Sequence, residues 1–222
     1  MKKLRTREIV GFLLLEALLY ARFLWLDFRD IADDGYISVT ALKYLAICLC
    51  FLTSLHWAQQ GGSTLQAFAL GFTLAADTFL LLLDRWYIAG LACFCAAQAF
   101  YLARILRRNG GHSLWIIRLV LLAAVLAALW YFGQFTVLNM LCALYFTTFL
   151  LTAIQSLPLR GAGCLKLGLL LYLLCDICVG VCNSPAWFGA AARHYASLGM
   201  WLFYLPGQAL LTVSGARGGN AS

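Results

Sequence analysis

The chain has 222 residues, of which 64% are apolar and 11% are charged, and its formal net charge is +7. Soluble domains have roughly 45–50% apolar and about 25% charged residues, so this composition excludes an ordinary soluble enzyme. We expect an all-α, polytopic membrane protein with a single integral membrane domain over residues 1–222, in the cell membrane or, in a bacterium, the inner membrane. The positive charge then indicates membrane orientation, and we expect contacts with membrane lipids but no nucleic-acid partner.

Eight apolar segments approach the 20 or so residues that a helix needs to cross a bilayer. They cover residues 8–26, 36–57, 64–83, 86–105, 113–131, 135–155, 164–182 and 197–213. The first follows a basic N-terminus, as in a signal peptide, but no clear cleavage site with small residues comes after it. We therefore predict that it is retained and that about eight transmembrane helices form the bundle.

The distribution of lysine and arginine predicts the orientation of the helices. If the N-terminus is cytoplasmic, eleven of these residues lie on the cytoplasmic side and three on the outer side. This bias follows the positive-inside rule and predicts that both termini are cytoplasmic. An acidic loop is then expected on the outer side, with Asp27, Asp30, Asp33 and Asp34.

Two predicted helices each carry an aspartate near the middle of an apolar stretch. Asp77 lies in GFTLAADTFLLLLD, residues 71–84, and Asp176 in GLLLYLLCDICVGVCN, residues 168–183. A carboxylate at the centre of a membrane helix costs roughly 2.5–3.5 kcal/mol, so it usually faces the protein interior and has a function. Seven residues after each acid comes a polar residue, Asp84 or Asn183, on the same helix face. We interpret the two acids as active carboxylates, although hydrogen bonds between helices alone would also explain them.

Other polar residues are expected at the depth of these acids. Gln98 and Gln208 lie within the fourth and eighth spans, each with a tyrosine on its own face, and Pro206 with Gly207 is expected to break the eighth helix. The amides either contact substrate or join helices. Lys43 either pairs with an acid, binds a lipid phosphate or extends to the outer interface. The predicted polar layer comprises Asp77, Asp176, Lys43, Gln98, Gln208, Tyr101, Tyr172 and Tyr204.

Metal and nucleophile motifs are weak in this sequence. His56, His112 and His194 fall at span ends or in loops, so we predict no metal site. The nine cysteines are odd in number and mostly lie in apolar runs, where a thiol packs as a small hydrophobic group, so we predict no disulfide framework. No motif of a serine nucleophile or a phosphate-binding loop lies in a suitable context.

The chain resembles the YhhN family of membrane proteins, the lysoplasmalogenases. The resemblance is carried by LKYLAICLCFLTSL (42–55), by residues 71–105 and 168–183, and by YLPGQALLTVS (204–214). Family members commonly have glycine where this chain has Ala76, and many have histidine where it has Gln98. The order and spacing of eight residues resemble the family pattern: Lys43, Asp77, Gly90, Tyr101, Asp176, Asn183, Tyr204 and Gln208.

This resemblance implies hydrolysis of the vinyl ether bond of a lysoplasmalogen to a fatty aldehyde and a glycerophospho-ethanolamine or -choline. Asp77 and Asp176 would be the catalytic acid and base, in an order that the sequence leaves open, without a metal or organic cofactor. The head group, the chain length and the oligomeric state are also left open. The residues expected to bind the lysophospholipid are Lys43, Tyr101, Gln98, Asn183, Tyr204 and Gln208.

Three other functions are compatible with two intramembrane acids. The first is a proton-coupled transporter, in which Asp77 and Asp176 relay protons. The second is an enzyme like the intramembrane aspartyl proteases, whose Tyr-Asp and Gly-x-Gly-Asp motifs are missing because the acids follow Ala76 and Cys175. The third is a non-catalytic scaffold or lipid-binding protein.

Overall fold

A computed structural model describes residues 2–28, 34–108 and 114–216, and these residues form helices joined by short links. The predicted all-α class is confirmed. One π-helical turn, Thr78–Leu82, directly follows the third helix. The α-helices are α1 Lys2–Phe28, α2 Asp34–Gln59, α3 Thr64–Asp77, α4 Tyr87–Arg108, α5 Trp115–Tyr131, α6 Val137–Ser156, α7 Gly163–Cys182 and α8 Ala190–Gly215.

Seven of these helices are long and apolar enough to cross a membrane, as expected for a multi-pass membrane protein. The remaining helix, α5, has 17 residues, and at 1.5 Å per residue it is about 25 Å long. A hydrocarbon core is about 30 Å thick, so α5 is shorter than that thickness. The third span reaches its length because α3 and the π turn together cover Thr64–Leu82.

The start of α1 and the end of α8 lie at the same end of the bundle, which we call the terminal end. The Arg5 guanidinium donates to the carbonyls of Trp57 and Gln60 beside the link between α2 and α3. In that link, the Ser63 N–H donates to the Gly215 carbonyl at 3.0 Å. The opposite end, which holds the links after the π turn and after α7, is called the far end. The assignment of the terminal end to the cytoplasm stays a prediction.

The helices adjoining the predicted acidic loop extend further than the sequence suggested. Asp27 belongs to the last turn of α1, and Asp34 is the first residue of α2. Asp30 and Asp33 lie outside the described residues. The Asp27 side chain is therefore attached to a helix and packs against the bundle rather than belonging to a loop.

The eighth helix continues through Pro206, so the predicted break there is wrong. Proline has no N–H, which leaves the carbonyl four residues earlier without its helical donor. The Tyr20 hydroxyl of α1 donates to that carbonyl, of Leu202, at 3.0 Å. This contact from a neighbouring helix explains how α8 accommodates its proline without ending.

Two glycines allow α7 and α8 to pack closely. A Cβ atom on Gly168 would lie 3.0 Å from the Gly207 carbonyl oxygen, and one on Gly207 would lie 3.2 Å from the Tyr172 nitrogen. Small residues at such positions let membrane helices approach until their backbones touch. The close contact brings Tyr172 of α7 and Tyr204 of α8 together in the core, with their ring centroids 5.5 Å apart.

Candidate functional site

Asp77 is the last residue of α3 and is only 6% exposed. The Tyr204 hydroxyl donates to its Oδ2 atom at 2.6 Å. The π turn begins at the next residue, Thr78, whose hydroxyl lies 2.9 Å from that of Tyr44. Gly90 of α4 packs against the same turn, because a Cβ there would lie 2.6 Å from Leu80 Cγ. Single π turns are rare and frequently occur at functional sites.

Asp176 lies within the regular helix α7 and is half-buried. The Tyr145 hydroxyl of α6 donates to its Oδ2 atom at 2.7 Å. Each of the two acids is thus held by one tyrosine from a different helix.

Aromatic rings connect the surroundings of the two carboxylates. Tyr172 packs between Tyr204, at 5.5 Å, and Phe149, at 4.9 Å between ring centroids. Tyr145, the partner of Asp176, also contacts Phe149, at 6.0 Å between ring centroids. The two acids predicted from sequence are therefore joined through their tyrosine partners into one cluster inside the bundle.

A layer of buried amides lies one helical turn from Asp77 toward the terminal end. Asp77 lies opposite Tyr204, and Gln66 packs on Gly215, so the same antiparallel register places Thr73 opposite Gln208. Gln98 lies near the same depth, because the ring of Phe100, two residues further along α4, stacks on that of Phe72 at 5.5 Å. Among the described residues, the side-chain N and O atoms of Gln98 and Gln208 are buried without a hydrogen-bond partner, as are the hydroxyls of Thr73 and Tyr172. Unpaired buried polar groups are costly, so this layer is suited to a polar ligand group.

Lys43 is buried and pairs with an acid that the sequence did not single out. Its Nζ atom lies 2.8 Å from Asp27 Oδ2 and 4.4 Å from the ring centroid of Trp201. The Trp201 ring in turn contacts Tyr204 at 5.7 Å. Lys43 therefore does not extend to an interface. It lies two aromatic rings away from Asp77.

The structure does not bring every predicted residue to the carboxylates. Asn183 is exposed at the end of α7, and its amide donates to the Val179 carbonyl of its own helix at 2.9 Å. The buried Tyr101 accepts from Gln66 Nε2 at 3.5 Å, on the side toward the terminal end. Asp84, the counterpart of Asn183, accepts from the Tyr87 hydroxyl at 2.7 Å on the surface.

A model of the YhhN family matches residues 37–215, which include both aspartates and every predicted substrate-binding residue. The chain belongs to the YhhN family. Among curated proteins and among solved structures, none matches the chain. The YhhN match begins inside α2, so α1, with Glu16 and Asp27, lies outside it.

Two buried polar residues of this YhhN protein have partners that no sequence signal reveals. Tyr145 holds Asp176, and it lies in α6, where no charge marks a functional face. Arg104 is buried toward the terminal end, where it donates to the Gln66 side-chain oxygen and to Ser214 Oγ, the latter at 2.7 Å. Its position three residues after Tyr101 on one helix face was the available clue.

Side chains that could bind a metal ion are dispersed over the described part of the YhhN fold. Within residues 2–28, 34–108 and 114–216, no three histidine, cysteine or carboxylate side chains converge as a metal ion would require. The nine cysteines are free thiols. The chemistry that the described cluster offers is that of two carboxylates, three tyrosine hydroxyls and two amides.

Proposed function

We propose that this YhhN protein hydrolyses the vinyl ether bond of lysoplasmalogens and releases a fatty aldehyde with a glycerophospho-ethanolamine or -choline. The observation that carries the proposal is the pair of intramembrane carboxylates, each bonded to a tyrosine, with the two tyrosines connected through the rings of Tyr172 and Phe149. Membership of the YhhN family is consistent with a hydrolase. The apolar helices suit a substrate that resides in the bilayer.

A vinyl ether is hydrolysed in three balanced steps. A carboxylic acid donates a proton to the alkene carbon that does not bear oxygen, which leaves an oxocarbenium ion. Water adds to the cationic carbon while a carboxylate accepts the released proton, giving a hemiacetal. The hemiacetal then loses its bond to the glycerol oxygen, which takes a proton, and the aldehyde is released. The overall reaction is a hydrolysis that needs no oxidant or reductant and consumes only the substrate and water.

The two carboxylates can share this work between them. One of Asp77 and Asp176, in its protonated form, is the donor, and the other, as a carboxylate, stabilises the cation and accepts the proton of water. Tyr204 and Tyr145 fix one oxygen of each carboxyl group, which leaves the other oxygen for the substrate. The amides of Gln98 and Gln208 supply donors and acceptors for the glycerol hydroxyl or for water.

The proposal is tested by aldehyde release from purified protein in detergent. Lysoplasmalogen, intact plasmalogen and an ester lysolipid are offered to the natural chain and to the variants Asp77→Asn and Asp176→Asn. We expect aldehyde from lysoplasmalogen alone, with a loss of at least about a hundredfold in either variant, in the range of acid–base catalysis. The exposed Asp84→Asn is the matched control and should leave the rate unchanged.

Two results would contradict this mechanism. Folded natural protein that releases no aldehyde from any of the three lipids would rule out the activity, and proton-driven uptake into vesicles would then favour a transporter. If either aspartate variant kept more than about a tenth of the natural rate, the two-carboxylate mechanism would be wrong, because one acid–base group raises the rate by about a hundredfold or more.

A further inference from the structure

A cavity of about 510 Å³ lies between α1, α7 and α8 near the far end. Its lining is almost wholly apolar and includes Leu24, Cys178, Leu202 and Phe203. Asp27 is the single charged residue among the described residues that line it. A carboxylate at the wall of an apolar cavity is well placed to bind a cationic group of an otherwise lipid-like ligand.

The same carboxylate also neutralises Lys43. Asp27 Oδ2 lies 2.8 Å from Lys43 Nζ, and the lysine is more deeply buried than the acid. Lys43 Nζ also lies 4.4 Å from the ring centroid of Trp201 and 5.5 Å from that of Phe23. The pair therefore presents a positive group toward the aromatic core and a negative group toward the cavity.

We propose that the Asp27–Lys43 pair recognises the zwitterionic phosphoethanolamine head group of a lysolipid that occupies this cavity. The lipid ammonium binds Asp27 in the cavity wall. The lipid phosphate binds Lys43, which lies directly behind Asp27 and outside the cavity lining, when the ion pair opens. This inference rests on the proposed lysoplasmalogen hydrolysis and names the head group that the enzyme prefers. The ligand brings one charge of each sign, so the local charge stays balanced when the ion pair opens to receive it. That balance matters because an unpaired charge in a low-dielectric environment is strongly disfavoured.

The chemistry of the pair favours ethanolamine over choline. A primary ammonium has three N–H donors and forms short, charge-assisted hydrogen bonds with a carboxylate. A quaternary ammonium has no N–H donor and is recognised mainly by the faces of aromatic rings. The nearest such faces, those of Trp201 and Phe23, already lie against Lys43. Asp27 is thus a specificity-determining residue.

The position of the pair fits the reaction at the acids. Trp201 lies beside Lys43 and contacts Tyr204, whose hydroxyl is bonded to Asp77. A phosphate bound at Lys43 is thus separated from Asp77 by two aromatic rings, and in the lipid the glycerol carbons separate the phosphate from the vinyl ether. Asp27 lies outside the matched range 37–215, so this selectivity belongs to α1 of this chain rather than to the segment matched by the family.

Binding of ester lysolipids tests this inference without requiring catalysis. Lysophosphatidylethanolamine and lysophosphatidylcholine of one acyl chain are titrated against the full-length protein by calorimetry. We expect the natural chain to bind the ethanolamine lipid about tenfold more tightly, in line with the strength of charge-assisted hydrogen bonds. Asp27→Asn should reduce that ratio to about one, whereas Asp27→Glu and the control Asp84→Asn should preserve it.

The ratio is measured within each variant, so it does not depend on the folded fraction. A second series uses only the natural protein, with head groups methylated once, twice and three times at nitrogen. Affinity should fall stepwise as N–H donors are lost. A flat series, or Asp27→Asn with an unchanged ratio, would overturn the inference.

If these binding results hold but no aldehyde is released, the hydrolase proposal fails while the head-group site stands. If aldehyde is released while selectivity is absent, only the head-group inference fails.

Discussion

Asp77 and Asp176 differ in how the bundle holds them, although their sequence contexts look alike. Asp77 is 6% exposed and ends α3 where the π turn begins. Asp176 is half-buried and lies within the uninterrupted helix α7. Each accepts one tyrosine hydroxyl, from Tyr204 and Tyr145 respectively. The comparison teaches that matching patterns can place equivalent groups in unequal surroundings, which is what an acid and a base require.

The largest expected effect on the rate comes from removing each carboxyl group, with added formate as a soluble replacement. Asp77→Ala and Asp176→Ala should each lose at least about a hundredfold in aldehyde release. Added formate should restore the rate of Asp176→Ala by about tenfold and leave that of Asp77→Ala unchanged, because Asp176 is the more exposed of the two acids. The measurement is the rate against formate concentration. Equal rescue of both variants would show that the two sites are equally accessible.

Removing the tyrosine hydroxyls should lower kcat by smaller factors than removing the carboxyl groups, and the factor should differ between the two acids. Tyr204→Phe removes the only hydrogen bond described for the buried Asp77, so we expect kcat to fall by about thirtyfold, which matches a bond to a charged group. Tyr145→Phe should lower kcat by only about threefold, because Asp176 is more exposed than Asp77 and depends less on one buried hydrogen bond. KM should change little in either. Steady-state kinetics on both variants decide the order, and the reverse order would contradict the comparison.

The sequence predicted the positions of the acids better than it predicted their partners. Asp77, Asp176 and Tyr204 could be placed in the interior, because a membrane span fixes both the helical periodicity and the depth of each residue in the bilayer. Periodicity and depth could not identify Tyr145, since an aromatic residue in an apolar helix has no distinguishing pattern. They also could not pair Lys43 with Asp27, because Asp27 looked like a loop residue until α1 was seen to extend to Phe28. Contacts between helices depend on packing that a single sequence does not specify.

The buried amides should respond oppositely in stability and in activity. Because the amide atoms of Gln98 and Gln208 lack partners within the described part of the chain, Gln98→Leu and Gln208→Leu should stabilise the fold by about 1–2 kcal/mol. The same changes should raise KM by about fivefold if the amides bind the glycerol hydroxyl. Thermal unfolding in detergent and steady-state kinetics measure the two effects. A fall in Tm with unchanged KM would show instead that the amides join helices.

The smallest effects are expected at the two residues that follow the acids by seven positions. Asn183 bonds to its own helix and is exposed, so it can meet substrate only beyond the carboxylates. Asn183→Ala should therefore raise KM about twofold and leave kcat unchanged, as for a contact equal in the ground and transition states. Asp84 has a φ of 46°, a conformation that asparagine also tolerates, so Asp84→Asn should change neither constant. A tenfold fall in kcat for Asn183→Ala would restore the symmetry that the sequence suggested, because it would place that amide at the reacting atoms beside Asp176.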